Sequence, residues 1–175
     1  MSTFVGIDPG LAATGVAVVT GSAMAVTGYS YKVIRTDAGD STPRRLDRIF
    51  GELSETFDQV SPDAVMVEDV FSLARYPKSG ISLGQVIGVV MLAGCRCGVA
   101  VQEIAVREVK QILTGNGNAG KKQLEESVRR RLDHPGPIRP FHASDALSLA
   151  LVGLYRAGSE VDAQSAGRSK TGIRK

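Results

Sequence analysis

Residues 4–34, FVGIDPGLAATGVAVVTGSAMAVTGYSYKVI, decide the fold. Phe4-Val5-Gly6-Ile7 is a short apolar run stopped at Pro9-Gly10. Val16 to Val19 and Ala25 to Ile34 follow as two more runs, separated by Gly21-Ser22. Apolar runs bounded by Gly and Pro read as strands. Connections this short join antiparallel neighbours, so the chain opens on a three-stranded meander.

A helix signal comes next. Thr42 reads as its N-cap and Pro43 as its first helical position, and Leu46, Ile49, Phe50, Leu53, Phe57 and Val60 repeat at helical spacing. That leaves Arg44, Arg45, Arg48, Glu52 and Glu55 largely toward water. Ser61-Pro62-Asp63 breaks the helix, and Ala64 to Val67 forms a fourth strand ending at Glu68. Residues 69–80 read as a mobile loop. Ile81 to Cys97 reads as a helix apolar nearly all round, hence buried on several sides, with Gly84 and Gly88 on one face permitting a close contact. A fifth strand spans Val99 to Ile104. Helices follow over Val106 to Leu113, about Lys121 to Leu132, and about His142 to Arg156, the last after a Pro-rich link from His134 to Pro140. Right-handed crossovers between the later strands make this an α/β fold, one mixed five-stranded sheet with helices on both faces. Residues 1–156 form the domain, and 157–175, which lack an apolar period, read as a flexible basic tail.

Composition bounds the function. A chain of 175 residues makes one domain. With 43% apolar residues it builds a real core, which excludes a disordered chain. Only 5% are aromatic and Trp is absent, which argues against a broad base-stacking platform. Lys and Arg number 21 against 18 Asp and Glu, so a nucleic-acid partner must be argued from where the charges sit. The opening MSTFVGID lacks a basic region and reads as no signal peptide. The 81–97 stretch carries Ser82, Gln85 and Arg96 and is too short and polar to span a bilayer, so no membrane role is expected. Cys95 and Cys97 point to different faces of their helix and read as reduced buried thiols of a cytoplasmic protein.

Asp8 ends the first strand and Glu68 the fourth. Sites in open α/β sheets form outside the carboxyl ends of strands. If these two strands are parallel neighbours, the carboxylates share one edge; otherwise they are strand-end acids meeting water. His142 and Asp145 stand three apart at the start of an apolar helix and project from one side. For Asp145 alone, a capping acid at the helix start that satisfies the dipole is the more ordinary role. Gathered carboxylates repel one another unless a cation compensates. Hard oxygen ligands suit Mg²⁺, and an added imidazole makes Mn²⁺ a comfortable substitute. Two such ions about 3.5–4 Å apart activate water and stabilise the leaving oxygen in phosphodiester hydrolysis.

Gly115-Asn116-Gly117-Asn118-Ala119-Gly120-Lys121-Lys122 comes within one residue of a P-loop. The preceding Val106 to Leu113 has helical spacing where a P-loop needs a strand, and Lys122 replaces the metal-binding hydroxyl. The alternatives are a turn that brings Lys121 or Lys122 to a DNA phosphate and a plain surface turn. Glu125, Glu126, Arg129 and Arg130 read as a salt-paired solvated face.

The ordered set of Gly6-Ile7-Asp8-Pro9-Gly10, Thr14-Gly15, Glu68-Asp69-Val70-Phe71, Leu83-Gly84-Gln85, Val109-Lys110-Gln111 and His142-Ala143-Ser144-Asp145-Ala146-Leu147 resembles the RuvC Holliday-junction resolvases. The resemblance covers nearly the whole chain and implies a ribonuclease H-like fold. It implies Asp8, Glu68 and Asp145 as metal-binding acids, with Asp8 bridging two Mg²⁺ ions. His142 stands where many members have a fourth Asp, and would complete the shell or orient water. Phe71 matches an aromatic that wedges or stacks at the junction crossover. Lys110 and Lys121 match basic residues that contact or steer DNA. The expected activity is Mg²⁺-dependent resolution of four-way DNA junctions by paired nicks, in recombination and repair. A homodimer suits the two-fold symmetric junction, and RuvA–RuvB is the implied partner. Two alternatives stand beside this reading: a YqgF-like nuclease acting on RNA, and a non-catalytic junction-binding module.

Overall fold

The computed structural model describes residues 1–69 and 77–169. Strands β1 (Ser2–Asp8), β2 (Ala13–Ser22) and β3 (Ala25–Arg35) form the expected antiparallel meander. Strands β4 (Ala64–Glu68) and β5 (Val101–Ile104) add on in parallel, giving the order β3-β2-β1-β4-β5. The helices are α1 (Thr42–Val60), α2 (Pro77–Arg96), α3 (Val106–Thr114), α4 (Lys121–Arg131) and α5 (Phe141–Ser169).

Alternation along the strands sorts the core onto two faces. Val5 and Ile7 of β1 and Val65 and Val67 of β4 point to one face, where Ile49, Leu53 and Phe57 of α1 and Val86 and Val90 of α2 cover them. Phe4 of β1 and Ala64 and Met66 of β4 point to the other, under Ala146, Leu147, Ala150 and Leu151 of α5. Asp8 and Glu68 have the parity of this second set, so both carboxylates emerge on the α5 side. The parallel register pairs Ile7 with Val67, which leaves the two acids as strand-end neighbours.

Glycine lets α5 come down directly on the sheet. A Cβ on Gly6 would sit 2.0 Å from the Ala146 carbonyl oxygen, and one on Gly15 would sit 2.1 Å from that of His142. Backbone therefore packs on backbone at the point where α5 begins. No side chain fits between them.

Several expectations are corrected. Ser41, not Thr42, is the N-cap of α1, and its side chain makes no capping hydrogen bond. Pro43 serves inside the first turn, where a missing N–H is harmless. Helix α2 begins at Pro77, inside the segment read as a loop. It is buried only on the face that packs against α1 and the edge of the sheet. Ile81, Met91 and Leu92 stay exposed, and a Cβ on Gly84 or Gly88 would meet nothing within 4 Å. Cys95 is exposed and Cys97 half-buried, so neither is the buried thiol expected. Helix α5 runs to Ser169, past the end at about Arg156 expected for the last helix. Residues 157–169 contain no Pro, and extending an existing helix needs no new nucleus. Glu125 is buried rather than solvated, and its Oε1 accepts the Ile138 N–H at 2.8 Å. Among the described residues no helix is long and apolar enough to cross a membrane.

Candidate active site

Asp8 leaves β1, Glu68 leaves β4, and His142 and Asp145 come from the first turns of α5. All four line one cavity of about 460 Å³, with Lys110 of α3 and Lys121 of α4 in the same wall. Val109, Leu124 and Leu149 supply an apolar backing. Here the sheet edge opens because β1 and β4 end while α5 continues over them.

The Asp8 side chain is largely buried, and the His142 ring is about half exposed. His142 Nδ1 lies 2.6 Å from Asp8 Oδ2. A carboxylate can only accept, so the Nδ1–H donates to Asp8. That leaves Nε2 as the free ring nitrogen. The turn after Asp8 is tied down by side-chain hydroxyls. Buried Thr14 donates to the Gly10 carbonyl at 2.8 Å, Thr36 donates to the Leu11 carbonyl at 2.5 Å, and the Arg45 Nε–H donates to the Thr36 hydroxyl at 2.8 Å.

The electrostatics are those of crowded acids. Burial pushes the Glu68 carboxyl up to about 7, with the Asp8 and Asp145 charges acting in the same direction and Lys121 and Lys110 opposing them. Burial likewise raises Asp145 to about 6, and the Asp8 charge adds to it against Lys121, His142 and Lys110. Asp8 is raised by burial, with the His142 hydrogen bond and the His142 and Lys121 charges pulling it back. Each acid is thus harder to ionise than in water, chiefly because burial disfavours its charged form, and at Glu68 and Asp145 neighbouring negative charge adds to that.

This donor set fits a hard divalent cation: carboxylate oxygens that repel one another in the absence of positive charge, in a cavity with room for water. Among the described residues no three His, Cys, Asp or Glu side chains are gathered closely enough to hold a metal ion as they stand. An open arrangement of this kind suits Mg²⁺, which keeps several of its waters, better than a structural ion held entirely by protein.

The sequence-predicted residues divide clearly. Asp8, Glu68, His142, Asp145, Lys110 and Lys121 meet at the cavity. Lys122 is exposed at the start of α4 and does not line it. Phe71 lies outside the described residues. Asp145 stands a turn inside α5, whose first turn carries no acid, so it does not serve as a cap there. The near-P-loop is ruled out by its own hydrogen bonds. It follows a helix, α3, and its N–H groups are already engaged: Gly117 donates to Gln111 Oε1 at 3.0 Å and Asn118 to Asn116 Oδ1 at 2.9 Å. Gln111 also donates from Nε2 to the Gly115 carbonyl at 3.0 Å, so one side chain clamps the turn that leads to Lys121. Sequence reading noted Gln111 only as part of a block and missed its role. It also missed Pro140 and Phe141 in the cavity wall, which no spacing rule marks.

A sequence model of crossover junction endodeoxyribonuclease RuvC matches residues 4–153. The chain belongs to the RuvC family. The crossover junction endodeoxyribonuclease RuvC of Salinispora arenicola is 41% identical over 155 residues, covering 88% of each chain. The structure of Thermus thermophilus RuvC in complex with a Holliday junction substrate superposes with a TM-score of 0.86 at 30% identity, covering 91% of this chain and 97% of that one. The yeast mitochondrial Holliday junction resolvase Ydc2, at 12% identity and a TM-score of 0.59, shares the fold. The mixed five-stranded sheet is thus the RuvC arrangement, the ribonuclease H-like fold that the resemblance implied.

Proposed function

We propose that this RuvC-family chain is a divalent-metal-dependent endonuclease that resolves four-way DNA junctions by paired nicks. The observation that carries the reading is the meeting of Asp8, Glu68 and Asp145 at one cavity, where burial raises all three carboxyls and like charge adds to it at Glu68 and Asp145. Asp8, Glu68 and Asp145 would hold the cation, Mg²⁺ in the first instance with Mn²⁺ able to substitute. Bound there, it would supply the charge stabilisation and water activation that phosphodiester hydrolysis needs.

The chain's own residues do the rest. His142 holds Asp8 in orientation through Nδ1 and keeps Nε2 available for water or a phosphate oxygen. Lys110 and Lys121 bring positive charge to the cavity wall and draw in the phosphodiester backbone, while Lys122 adds affinity from outside it. Phosphate contacts carry no sequence information, so selectivity for a junction over linear duplex rests on shape.

A homodimer is part of this reading. The described residues hold one cavity lined by these acids, and two opposed nicks need two. The uncovered face of α2 supplies a surface for it: Ile81, Gly84, Gly88, Met91 and Cys95 recur at alternating spacings of three and four, the pattern of a helix-pairing seam. The implied setting is recombination and repair in the cytoplasm alongside the RuvA–RuvB machinery.

The test is nicking of a synthetic four-way junction against linear duplex of the same sequence, with and without Mg²⁺, beside Asp8→Asn. Junction-selective, Mg²⁺-dependent nicks that vanish in the variant are expected. Equal cutting of the duplex, full activity in the variant, or binding without cleavage would overturn the reading.

A further inference from the structure

The link between α4 and α5 is anchored more firmly than a surface connection requires. Ile138 is fully buried, and its N–H donates to Oε1 of buried Glu125 at 2.8 Å. Of the next three residues, Arg139-Pro140-Phe141, the last two line the acidic cavity. Phe141 is 39% exposed, a large apolar ring left in contact with water beside Glu68, His142 and Asp145. The Arg139 guanidinium carbon lies 4.3 Å from the centroid of that ring. Its Nη1 donates to the Ile138 carbonyl at 3.0 Å. A guanidinium has five N–H donors, so most of its fork stays free to meet a phosphate.

We propose that Phe141 and Arg139 form a nucleotide clamp at the cavity mouth. The ring stacks on the base of the nucleotide beside the phosphodiester being cut, and the guanidinium takes the adjacent phosphate. This deepens the nuclease reading and rests on it. Arg139 lies over the ring, which still stays 39% exposed in the cavity wall and leaves apolar surface for a base to stack on. Desolvating an aromatic against a base is worth about 1–3 kcal/mol and tolerates any base. The clamp therefore sets which phosphodiester enters the site rather than reading base identity. Holding the reacting group in register is also where small displacements are felt most strongly in rate.

The experiment maps nick positions at nucleotide resolution on a synthetic four-way junction, and measures kcat and KM, for the wild type, Phe141→Ala, Phe141→Leu, Phe141→Trp, Arg139→Met and Arg139→Lys. A metal-free arm reads the fluorescence of 2-aminopurine placed beside the mapped nick, which stacking quenches. Phe141→Ala is expected to spread the nicks over neighbouring phosphodiesters, to lower kcat by about tenfold or more, and to relieve the quenching. Phe141→Trp is expected to restore register and quenching, and Phe141→Leu to restore neither. Arg139→Met, an exposed change that leaves the fold alone, is expected to raise KM, and Arg139→Lys to recover it only in part.

Wild-type register and quenching in Phe141→Ala would overturn the clamp. So would full rescue by Leu, because packing alone would then explain the ring. In either case junction-selective cutting by the wild type leaves the nuclease reading intact. A wild type that cuts no junction overturns that reading, and the clamp with it.

Discussion

His142 Nδ1 sits 2.6 Å from Asp8 Oδ2, tying the first turn of α5 to the end of β1 across 134 positions of sequence. The pair is asymmetric, with the His142 side chain 47% exposed and that of Asp8 11%. Removing the ring therefore opens no core cavity but frees a buried carboxylate. His142→Ala is expected to change stability by less than about 1 kcal/mol, and to lower junction nicking by about a hundredfold. His142→Asp, which restores an oxygen ligand, is expected to recover much of that loss in Mg²⁺. Thermal melting and nicking rates check both; an active His142→Ala would remove the ring from the chemistry.

The crowded acids give the metal-free protein a distinctive pH response. The folded Glu68 carboxyl titrates near 7 against an ordinary 4.5, and Asp145 near 6 against 3.8. Raised folded values mean that the folded state binds protons more tightly. Their contribution to stability is thus fully present below about pH 4 and is lost as pH rises through 6 to 7. At about 1.4 kcal/mol per pH unit, ionising Glu68 alone costs the metal-free fold up to about 3 kcal/mol. Glu68→Gln is expected to match the wild type at pH 4.5 and to melt several degrees higher at pH 8 without metal. Adding Mg²⁺ at pH 8 is expected to stabilise the wild type more than the variant. Parallel melting curves for the two proteins across this range would refute the account.

Gly6 and Gly15 set the height of α5 above the sheet. Adding a methyl at either position places it 2.0 or 2.1 Å from a backbone carbonyl oxygen, which no rotamer change relieves. Gly6→Ala and Gly15→Ala are expected to destabilise the fold by about 2–4 kcal/mol. They should also abolish nicking well below their melting temperatures, because a lifted α5 withdraws His142 and Asp145 from Asp8. Gly28→Ala on β3, where a Cβ meets nothing within 4 Å, is the control and should be near neutral. Full activity in a folded Gly6→Ala would contradict the geometry.

Lys110 and Lys121 line the cavity, whereas Lys122 does not. Junction affinity measured against salt concentration is expected to lose about 0.9 from the slope for each phosphate contact removed. Lys110→Gln and Lys121→Gln should each show that change together with a fall in nicking rate. Lys122→Gln should weaken binding with the rate at saturating enzyme unchanged. An unaltered salt slope in all three variants would place the phosphates elsewhere.

The open face of α2 carries a separate expectation. Ile81 is 66% and Leu92 49% exposed, flanking Gly84 and Gly88. Gly88→Arg should leave the melting temperature of dilute protein unchanged within a few degrees, halve the mass in sedimentation, and uncouple the two nicks. A dimer that survives Gly88→Arg would require another interface.

Much of the site was legible before any coordinates. Asp8 and Glu68 stand at the ends of two apolar runs readable as strands, and the order of those strands decides whether they share an edge. The i, i+3 spacing of His142 and Asp145 puts both on one side of a helix. Other features were hidden for physical reasons. The apolar run 81–97 looks the same whether sheet or a second chain covers its outer face, so composition predicted burial where the monomer is open. Glu125 sits in a run of charges, and only its burial over Ile138 distinguishes it from a solvated neighbour. Phe141 has no local signature, because its exposure depends on where α5 begins relative to the cavity.

By itself the sequence determined most of the elements and the strand-end places of Asp8 and Glu68, which follow from local stereochemistry and period, but it marked Gly84 and Gly88 for close packing where the structure uses Gly6 and Gly15. Only the tertiary structure decided that α5 lands on Gly6 and Gly15, that His142 donates to Asp8, and that Glu68 titrates near 7. The reason is that burial and charge–charge coupling depend on distance through space. Residues separated by most of the chain acquire those distances only when the sheet and α5 close on each other.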